Sequence, residues 1–372
     1  MKYIACVIVA FGLLALAAEA QTPAGGPMPV TRSTTGTATQ PLAMPAGWKL
    51  PKFARVDPVG FAVSADGRWA VLPVAVETPR HGMAFRCWLG CLQSHEIVEL
   101  SDVLAPAIGS ERPQAINAVP SGDGKYLAIR SILIDGHGAS LFLMSLADRS
   151  VVRLAQGLMV VPVWMGPKLA ITTVDANADL QPISVYDPEK GAMGEIPIRG
   201  MIAASDANGT VIVCGCDPNA PSAPLNMKDY PRASMMAMEP GGKVLRRLGT
   251  FAEMGTMPLV SPGGKYLAFQ YNGWKGEPSG RPDVMRVDVM AVRGQERWSI
   301  DEMALPVAIG DDGEAVTIQL RSGPEGSLVQ SRRQGQAART LVDGAWAASQ
   351  AGGRIYYVNG GEDKALWVTD RK

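Results

Sequence analysis

Histidine is scarce in this chain, which has three imidazoles in 372 residues, at His81, His95 and His137. That number excludes a copper cluster built from many imidazoles, and the C-x-x-C-H motif that attaches haem is absent. The G-x-S-x-G turn that presents a nucleophilic serine is also missing. From these absences we predict no catalytic residue, no metal and no cofactor, and the sequence favours a protein without enzymatic activity.

Net charge and long helices are lacking as well. Lysine plus arginine and aspartate plus glutamate both total 35, and no segment has five consecutive residues of like charge. Nucleic acids and anionic membrane surfaces both attract a concentrated positive field, so neither is expected as a partner. The 41 glycines and 28 prolines favour many short strands over long helices. The nearest helical candidate, LSDVLAPAI at 100–108, is short and contains Pro106.

A long apolar run occurs once, at the N-terminus. Lys2 is followed by YIACVIVAFGLLALAA at 3–18, and the overlapping AEA at 18–20 has small residues that suit cleavage by a signal peptidase after Ala20. A membrane anchor is the alternative, although this run is short for a bilayer span. We therefore predict a signal peptide at 1–20, no membrane span after its cleavage, and a periplasmic or secreted protein. Residues 21–47, rich in Thr, Pro and Gly, are predicted to form a flexible tail, and 48–372 a single domain.

One short turn recurs along the rest of the chain. Each copy places a Gly just before an apolar strand, often after Asp, Asn or Gly, which suits the left-handed backbone of a tight hairpin. The strand after each turn is apolar on both faces, so we expect it to be covered on both sides. The clearest copies are VSADGRWAVLPV at 63, PSGDGKYLAIRSI at 120, SDANGTVIVCG at 205, VSPGGKYLAFQY at 260 and IGDDGEAVTIQL at 309, and weaker ones are WMGPKLAITTV at 164 and SQAGGRIYYVN at 349.

The spacing of these turns predicts the architecture. Equivalent turn positions are separated by 57, 44, 41, 55, 49 and 40 residues, and forty-odd residues make one four-stranded blade of a propeller. We therefore predict an all-β fold, a seven-bladed β-propeller of four-stranded antiparallel blades. The last blade has only three strands of its own, so we expect closure by N- and C-terminal strands, with WKLPKFARVD at 48–57 as the donor.

The turns SADGRWAV, SGDGKYLAI and SPGGKYLAF, each followed by a short strand such as LFLMSL or ISVYDP, resemble the TolB-type (WD-like) β-propeller repeats of exported bacterial proteins. The likeness extends from about residue 59 to residue 372. The chain departs from the pattern where SPGGK lacks an acidic residue, and in the third and seventh copies. The resemblance implies the propeller fold. It implies no single activity, because the family includes interaction scaffolds and the propeller domains of peptidases.

Four cysteines follow the predicted signal peptide, in CWLGC (Cys87, Cys91) and CGC (Cys214, Cys216). In an exported chain four cysteines favour disulfides, and three pairings are possible. Because the first and fourth repeats are not neighbours in the ring, we expect local pairs, Cys87 with Cys91 and Cys214 with Cys216. A four-cysteine metal site is the alternative, although the spacing differs from that of a zinc ribbon.

Three repeats are lengthened between their second and third strands, by ETPRHGMAFR in the first, DPNAPSAPLNMKDYPRA in the fourth and NGWKGEPSGRPD in the fifth. In a propeller these connections emerge on one face, around one mouth of the channel. Aromatic and arginine residues on loops are common anchors of binding faces, although such loops can also pack over the blade rims with their aromatics inside. The predicted binding residues are Arg80, His81, Phe85, Trp88, Tyr230, Arg232, Trp274, Lys275 and Arg281.

The sequence thus leads to one main function and two alternatives. We expect an exported propeller that binds a protein or peptide partner in the cell envelope through the face with the three long loops. A channel-mouth enzyme of the lyase or lactonase type is the first alternative, but the predicted inner strands offer no acid or imidazole. An accessory subunit of a periplasmic dehydrogenase is the second, and its cofactor would come from another chain.

Overall fold

The computed structural model describes residues 40–42, 55–56, 60–78, 82–94, 96–108, 114–132, 138–274, 282–300, 303–321, 326–359 and 366–370. The predicted signal peptide (1–20) lies outside these residues. The predicted tail (21–47) also lies outside them, apart from residues 40–42. No helix among the described residues is long and apolar enough to cross a bilayer.

Short antiparallel strands form six sheets. The N-terminal strand β1 is Gln40–Leu42. The first sheet contains β2 (Arg55–Val56), β3 (Ala62–Val63), β4 (Trp69–Thr78), β5 (Gly82–Cys91) and β6 (Ile97–Glu99). The second contains β7 (Gln114–Pro120), β8 (Tyr126–Ile132), β9 (Ala139–Ser145) and β10 (Val151–Gly157). The third contains β11 (Met159–Met165), β12 (Lys168–Val174), β13 (Pro182–Asp187) and β14 (Ala192–Arg199).

The remaining three sheets follow the same antiparallel plan. The fourth contains β15 (Met201–Ser205), β16 (Ile212–Cys216), β17 (Ser234–Met238) and β18 (Val244–Thr250), and the fifth β19 (Leu259–Val260), β20 (Tyr266–Gly273), β21 (Val284–Ala291) and β22 (Arg297–Ile300). The sixth joins β1 to β23 (Ala304–Ile309), β24 (Ala315–Gln319), β25 (Ser327–Arg332), β26 (Arg339–Ala351), β27 (Arg354–Asn359) and β28 (Leu366–Asp370). The described residues include two 3-10 turns, at Tyr230–Arg232 and Phe251–Glu253.

The α-helix α1 (Leu100–Ile108) links the first sheet to the second. Leu100 and Leu104 are one helical turn apart and are fully buried in the core between these two sheets. The helix is nine residues long and contains Pro106 in its last turn. The predicted short candidate at 100–108 is therefore helical, and its apolar face fixes it to the sheets.

The sheets are arranged radially. The strands β3, β7, β11, β15, β19, β23 and β26 contact one another in that order, and β26 contacts β3, so these innermost strands close a ring. Hydrophobic cores lie between successive sheets. In β8, for example, Leu127 is buried in the core with the first sheet, whereas Ala128 is buried in the core with the third. The prediction that the repeated strands are covered on both faces is confirmed, and the fold is an all-β propeller of four-stranded antiparallel sheets.

The predicted count of seven separate blades is wrong, since hydrogen bonding gives six sheets. The reason is the long strand β26. Its first half pairs with β25 and its second half pairs with β27, so the last two predicted repeats share one continuous strand. Gly344, between the two halves, has φ of 86°. This left-handed residue lets the strand bend between repeats without interrupting it.

The predicted donor segment also pairs differently. Within 48–57 only Arg55 and Val56 are described, and they pair with β4 of the first sheet rather than with the last sheet. The strand that does pair with β28 is β1, where Gln40 lies opposite Val368 and Leu42 opposite Leu366. The pairing strand thus falls inside the segment that the sequence predicts to be a flexible tail.

Candidate functional site

The connections between strands emerge on two opposite faces of the ring, because successive strands in each sheet are antiparallel. One face, which we call the turn face, has the short turns between the first and second strands, such as 64–68, 121–125 and 261–265. The other, the long-loop face, has the connections between second and third strands and the links between sheets. The three lengthened repeats and α1 all belong to the long-loop face.

The turn face is closed by direct contact between neighbouring turns. A Cβ atom built on Gly124 would lie 2.6 Å from the Asp66 carboxylate of the preceding sheet, and one on Gly67 would lie 2.6 Å from the Tyr356 hydroxyl. The Ala207 amide donates a hydrogen bond to the Pro262 carbonyl of the next sheet, with the two atoms 3.1 Å apart. Glycine is required at these positions because the next turn occupies the space of a side chain.

The structure gives a mixed outcome for the predicted binding residues. Trp88 is half-buried and packs on the core between the first and last sheets, whereas Arg232 is exposed on the long-loop face. Phe85 lies opposite Ala75 in the β4–β5 pair, where only its backbone is described. The remaining loop residues of the first and fifth repeats, Arg80, His81, Lys275 and Arg281, lie outside the described residues.

Tyr230 is a core residue and corrects one prediction. Its side chain has no exposed surface, its ring centroid lies 4.4 Å from that of Phe251, and its hydroxyl lies 3.9 Å from Met235 Sδ. Burial raises the pKa of the phenol well above its usual value. Tyr230 therefore anchors the long loop of the fourth sheet from beneath, and a partner would not contact its ring. Sequence alone could not distinguish an anchoring aromatic from an exposed one.

The long loop of the fourth sheet, residues 217–233, is fixed to the third sheet. The Leu180 amide donates to the Leu225 carbonyl at 2.9 Å, and the Met227 amide donates to the Ala178 carbonyl at 2.8 Å. The side-chain amide of Asn226 donates to Asp179 Oδ1 at 2.7 Å. These bonds give the loop a defined backbone conformation, so it forms a built surface that spans two sheets.

A row of polar side chains follows one face of β20 toward the long-loop face. Gln270, Asn272 and Trp274 alternate along the strand and its extension, so they point to the same side. Gln270 and Asn272 are at least nine-tenths buried. Gln270 Nε2, Asn272 Oδ1 and Trp274 Nε1 are each buried without a hydrogen-bond partner. Buried polar groups are normally paired with protein or with ordered water, so three unpaired atoms in one row mark an unusual polar strip at the long-loop end of β20.

Gly255 makes room for this row. A Cβ atom at Gly255 would lie 2.5 Å from Gln270 Oε1 and 2.7 Å from Asn272 Nδ2. The Gly255 amide donates to the Gln270 carbonyl at 2.8 Å, which places the glycine beside β20 as an extension of the inner strand. Any side chain at this position would therefore displace the two amide groups.

In the second sheet, an arginine occupies the position that Gln270 has in the fifth sheet. Arg130 of β8 is half-buried, and it makes no ion pair or hydrogen bond with any described residue. Burial lowers the pKa of its guanidinium. The residue directly opposite, Asn117 of β7, has its Oδ1 atom buried without a partner. An unpaired cation and an unpaired amide oxygen therefore lie side by side.

Two of these polar residues, Gln270 and Arg130, could have been found in the sequence from their spacing. Each is the sixth residue after a turn glycine with positive φ, where the preceding strand residues are apolar. The same offset gives a polar residue in five of the seven repeats, namely Arg130, Thr172, Gln270, Gln319 and Asn359. Loop length does not reveal this position, because a single polar residue in a strand gives no signal until the turns are aligned.

Two buried carboxylates have structural roles. Asp206 accepts hydrogen bonds from the Thr210 and Val211 amides at 2.7 and 2.9 Å, which closes the turn of the fourth sheet. Asp288 accepts from Arg286, Arg297 and Ser299 at 2.7, 2.6 and 2.6 Å. Both groups are engaged with neighbours of their own sheet. Among the described residues, no three His, Cys, Asp or Glu side chains lie together as metal ligands would.

The predicted disulfides do not form among the described cysteines. Cys87 and Cys91 lie four residues apart on one strand, which separates their Cα atoms by about 13 Å, twice the span of a disulfide. Cys214 and Cys216 lie two residues apart on the same face of β16, buried in one core. A hydrogen bond between their thiols raises the pKa of Cys214 and lowers that of Cys216. Their extended backbone holds them as neighbouring thiols.

Comparison with known proteins rests on structure alone, since no protein-family model and no curated protein match the chain. The β-propeller domain of the Trilobed protease from Pyrococcus furiosus matches with a TM-score of 0.53 at 12% identity, over 86% of this chain and 96% of that one. Oligogalacturonate lyase from Vibrio parahaemolyticus matches with a TM-score of 0.51 at 11% identity, over 91% and 98%. TolB from Acinetobacter baumannii matches with a TM-score of 0.41 at 12% identity, over 85% and 86%.

At sequence identities this low, a structural match establishes a shared fold but no shared activity. The first two alignments extend over most of both chains, so the likeness concerns the whole ring and not a single sheet. The radial sheets, the inner ring of strands and these two matches all indicate a propeller. The chain has the β-propeller fold that its TolB-like repeats imply.

Proposed function

We propose that this protein is an exported propeller that binds a protein or peptide partner in the cell envelope through its long-loop face, and that the bound segment is extended. The observation that supports this most strongly is the row of three buried, unpartnered polar atoms on Gln270, Asn272 and Trp274. The row ends at the loop of the fifth sheet, which is one of the three lengthened connections.

The spacing of the row suits a polypeptide main chain. Alternate residues of a strand are about 6.6 Å apart, and the hydrogen-bonding groups on one edge of an extended peptide recur at the same interval. The orphan atoms are the Gln270 donor, the Asn272 acceptor and the Trp274 donor, in that order. A peptide edge offers both acceptors and donors, so it can match this sequence, and recognition by main-chain bonds is a common mode of peptide binding.

A ligand that supplies the missing hydrogen bonds would gain binding free energy from them. Each buried polar group without a partner costs about 1–3 kcal/mol. Without water or ligand the protein bears that cost at three atoms, and a bound segment would relieve it. Exposed apolar side chains at the same end of the fifth and sixth sheets, Val284 and Met303, add surface that a partner can bury.

Export is part of the proposal and rests on the N-terminal sequence alone. The apolar run and the AEA site at 18–20 favour a signal peptide, and a cleaved chain would be periplasmic or secreted. The signal peptide is tested by N-terminal sequencing of the mature protein, which should begin at Gln21. A mature chain that retains residue 2 would contradict export by cleavage.

Selection from a random peptide library tests the binding proposal on the purified protein. Peptides that bind should have extended conformations, and Asn272→Ala and Gln270→Ala should weaken them by about tenfold each. Lys265→Ala, an exposed substitution on the turn face, is the matched control and should leave affinity unchanged. Failure to select any peptide, or equal affinity of all four proteins, would contradict the proposal.

A channel-mouth enzyme of the lyase or lactonase type is the second candidate, and a subunit of a periplasmic dehydrogenase is the third. The fold likeness to oligogalacturonate lyase supports the second at the level of architecture. The buried carboxylates Asp206 and Asp288 do not add to it, because their oxygens already accept structural hydrogen bonds. Incubation with oligogalacturonate, followed by a search for unsaturated products, separates the second candidate from the first.

A further inference from the structure

We propose that Arg130 is the centre of a carboxylate-binding site between the second and third sheets, near the long-loop face. The inference deepens the proposed function, since it adds an anionic group to the partner that this face would bind. Arg130 is two residues from the end of β8, where the strand reaches the long-loop face. Arg130 is half-buried, so the residue keeps some exposed surface.

Within the described part of the chain, the neighbours of Arg130 contribute no opposite charge. Directly opposed residues in a sheet share a face, and those opposite Arg130 are Asn117 on β7 and Leu141 on β9. Leu141 belongs to the core between the second and third sheets, so Arg130 lies on the side that faces the third sheet. No acidic side chain among the described residues forms an ion pair with Arg130.

A β-bulge places the asparagine beside the guanidinium. The register of the β7–β8 pair shifts between Ala115 and Asn117, so Ile116 is skipped and Asn117 comes opposite Arg130. Without the bulge, the isoleucine would occupy that place. Bulges redirect side chains at functional sites, and here the redirected group has a buried oxygen with no donor.

The chemistry of Arg130 and Asn117 favours one class of ligand. One guanidinium with uncharged neighbours supplies a single positive charge, which a monoanion neutralises. The planar fork of arginine matches the two oxygens of a carboxylate in a bidentate arrangement. Rotation of the Asn117 amide by half a turn would direct its NH2 group toward the same ligand. A carboxylate satisfies all of these groups, whereas a phosphate dianion would need a second cation.

Thermal unfolding of the intact chain with and without acetate, at constant ionic strength, tests the site. A ligand that binds only the folded state raises the melting temperature. Acetate should stabilise the wild type and the control Arg153→Met, which removes an exposed arginine of the same sheet. It should not stabilise Arg130→Met. Equal stabilisation of Arg130→Met, or no stabilisation of the wild type, would overturn the proposal.

A second variant provides a test if the first one does not fold. A pair of peptides identifies whether the carboxylate comes from a side chain or from a C-terminus. If Arg130→Met fails to fold, Arg130→Lys replaces it in the test. Lysine keeps the positive charge but cannot bind a carboxylate in a bidentate arrangement, so this variant should bind acetate at least about tenfold more weakly than the wild type. An amidated peptide with one glutamate and a neutral peptide with a free C-terminus separate a side-chain ligand from a terminal one. Because these measurements do not involve Gln270 or Asn272, their failure would leave the peptide-binding proposal standing.

Discussion

The carboxylate of Asp311 completes a turn that belongs to another repeat. In the second sheet the serine of the turn donates to the aspartate two residues later, as Ser121 does to Asp123 at 2.6 Å. The fifth turn has Gly263 at that place, and Asp311 from the following turn accepts instead from Ser261 Oγ at 2.6 Å and from the Gly263 amide at 2.9 Å. The acidic residue that SPGGK lacks in sequence is thus supplied in space.

Asp311→Ala should lower the free energy of unfolding by about 1–3 kcal/mol, because it leaves the Ser261 hydroxyl and the Gly263 amide without their acceptor. Gly263→Asp alone should also destabilise, since its Cβ would lie 2.7 Å from the Asp311 carboxylate. The double variant should recover most of the loss, as it restores the arrangement of the other turns. Denaturant unfolding of the four proteins measures this coupling, and additive losses would contradict the account.

Asp288 gives the fold a pH dependence. Burial raises its pKa, but hydrogen bonds from Arg286, Ser299 and Arg297 outweigh burial and leave the pKa below its usual value. A lowered folded-state pKa means that the carboxylate stabilises the protein above the unfolded-state pKa, about 4, and that this contribution is lost as pH falls through the folded-state pKa. The charge therefore matters most at neutral pH.

Asp288→Asn should lower the free energy of unfolding at pH 7 by about 2–4 kcal/mol, because it leaves two arginines without their shared counter-ion. The difference from wild type should shrink as pH falls below about 4. Asp343→Asn, at an exposed ion pair with Arg321, is the control and should change stability little at either pH. Urea unfolding at a series of pH values measures both, and a pH-independent difference would contradict the linkage.

Individual residues were the hardest part to infer from sequence. The turn glycines and their spacing depend on local backbone geometry, so the sequence encodes them directly. The roles of Tyr230 and Asp311 depend on what packs against them from distant segments. The cysteine pairs illustrate the same limit, because a short spacing favours a local disulfide only where the chain turns, and both pairs lie on extended strands.

At the scale of elements, β26 decides how many sheets the molecule has. The sequence predicts the seven repeats from their turns, but continuity of hydrogen bonding across a repeat boundary depends on backbone angles that residue type only partly fixes. Gly344 bends the strand with φ of 86°, between the half that pairs with β25 and the half that pairs with β27. The two halves therefore remain one strand.

Gly344→Ala should reduce the free energy of unfolding by about 1–2 kcal/mol, because an L-residue with a side chain is strained in the left-handed region. Gly241→Ala is a suitable control, since no atom lies within 4 Å of its Cβ position and its φ is not left-handed. Thermal unfolding of the two variants compares them directly. Equal melting temperatures of the two variants would contradict backbone strain at residue 344.

The pairing of β1 with β28 leads to a prediction for the N-terminal segment. We expect a chain that begins at residue 43 to unfold at a lower temperature than one that begins at residue 40, because removal of β1 exposes the hydrogen-bonding edge of β28. The loss should be about 1–3 kcal/mol, for a pairing of three residues. A chain beginning at residue 21 should match the one beginning at residue 40, and identical stability of all three would contradict a structural role for β1.

For the whole molecule, the two faces of the ring differ in what they offer a partner. On the turn face, neighbouring turns occupy one another's side-chain space and their polar groups bond to one another. The long-loop face has the hydrogen-bonded loop at 217–233, the exposed Arg232 and the end of the unpartnered polar row. Loop length in the sequence predicts this face as the binding face, whereas the polar row and Arg130 become visible only when the strands are aligned on their turn glycines.

Photo-crosslinking in the cell envelope tests the central claim most directly. A photoreactive residue placed at Arg232, on the long-loop face, should capture a discrete protein or peptide partner. The same residue placed at Lys265, which is exposed on the turn face, should capture none. Crosslinks of equal yield and identity at both positions, or crosslinks at Lys265 alone, would contradict the assignment of binding to the long-loop face.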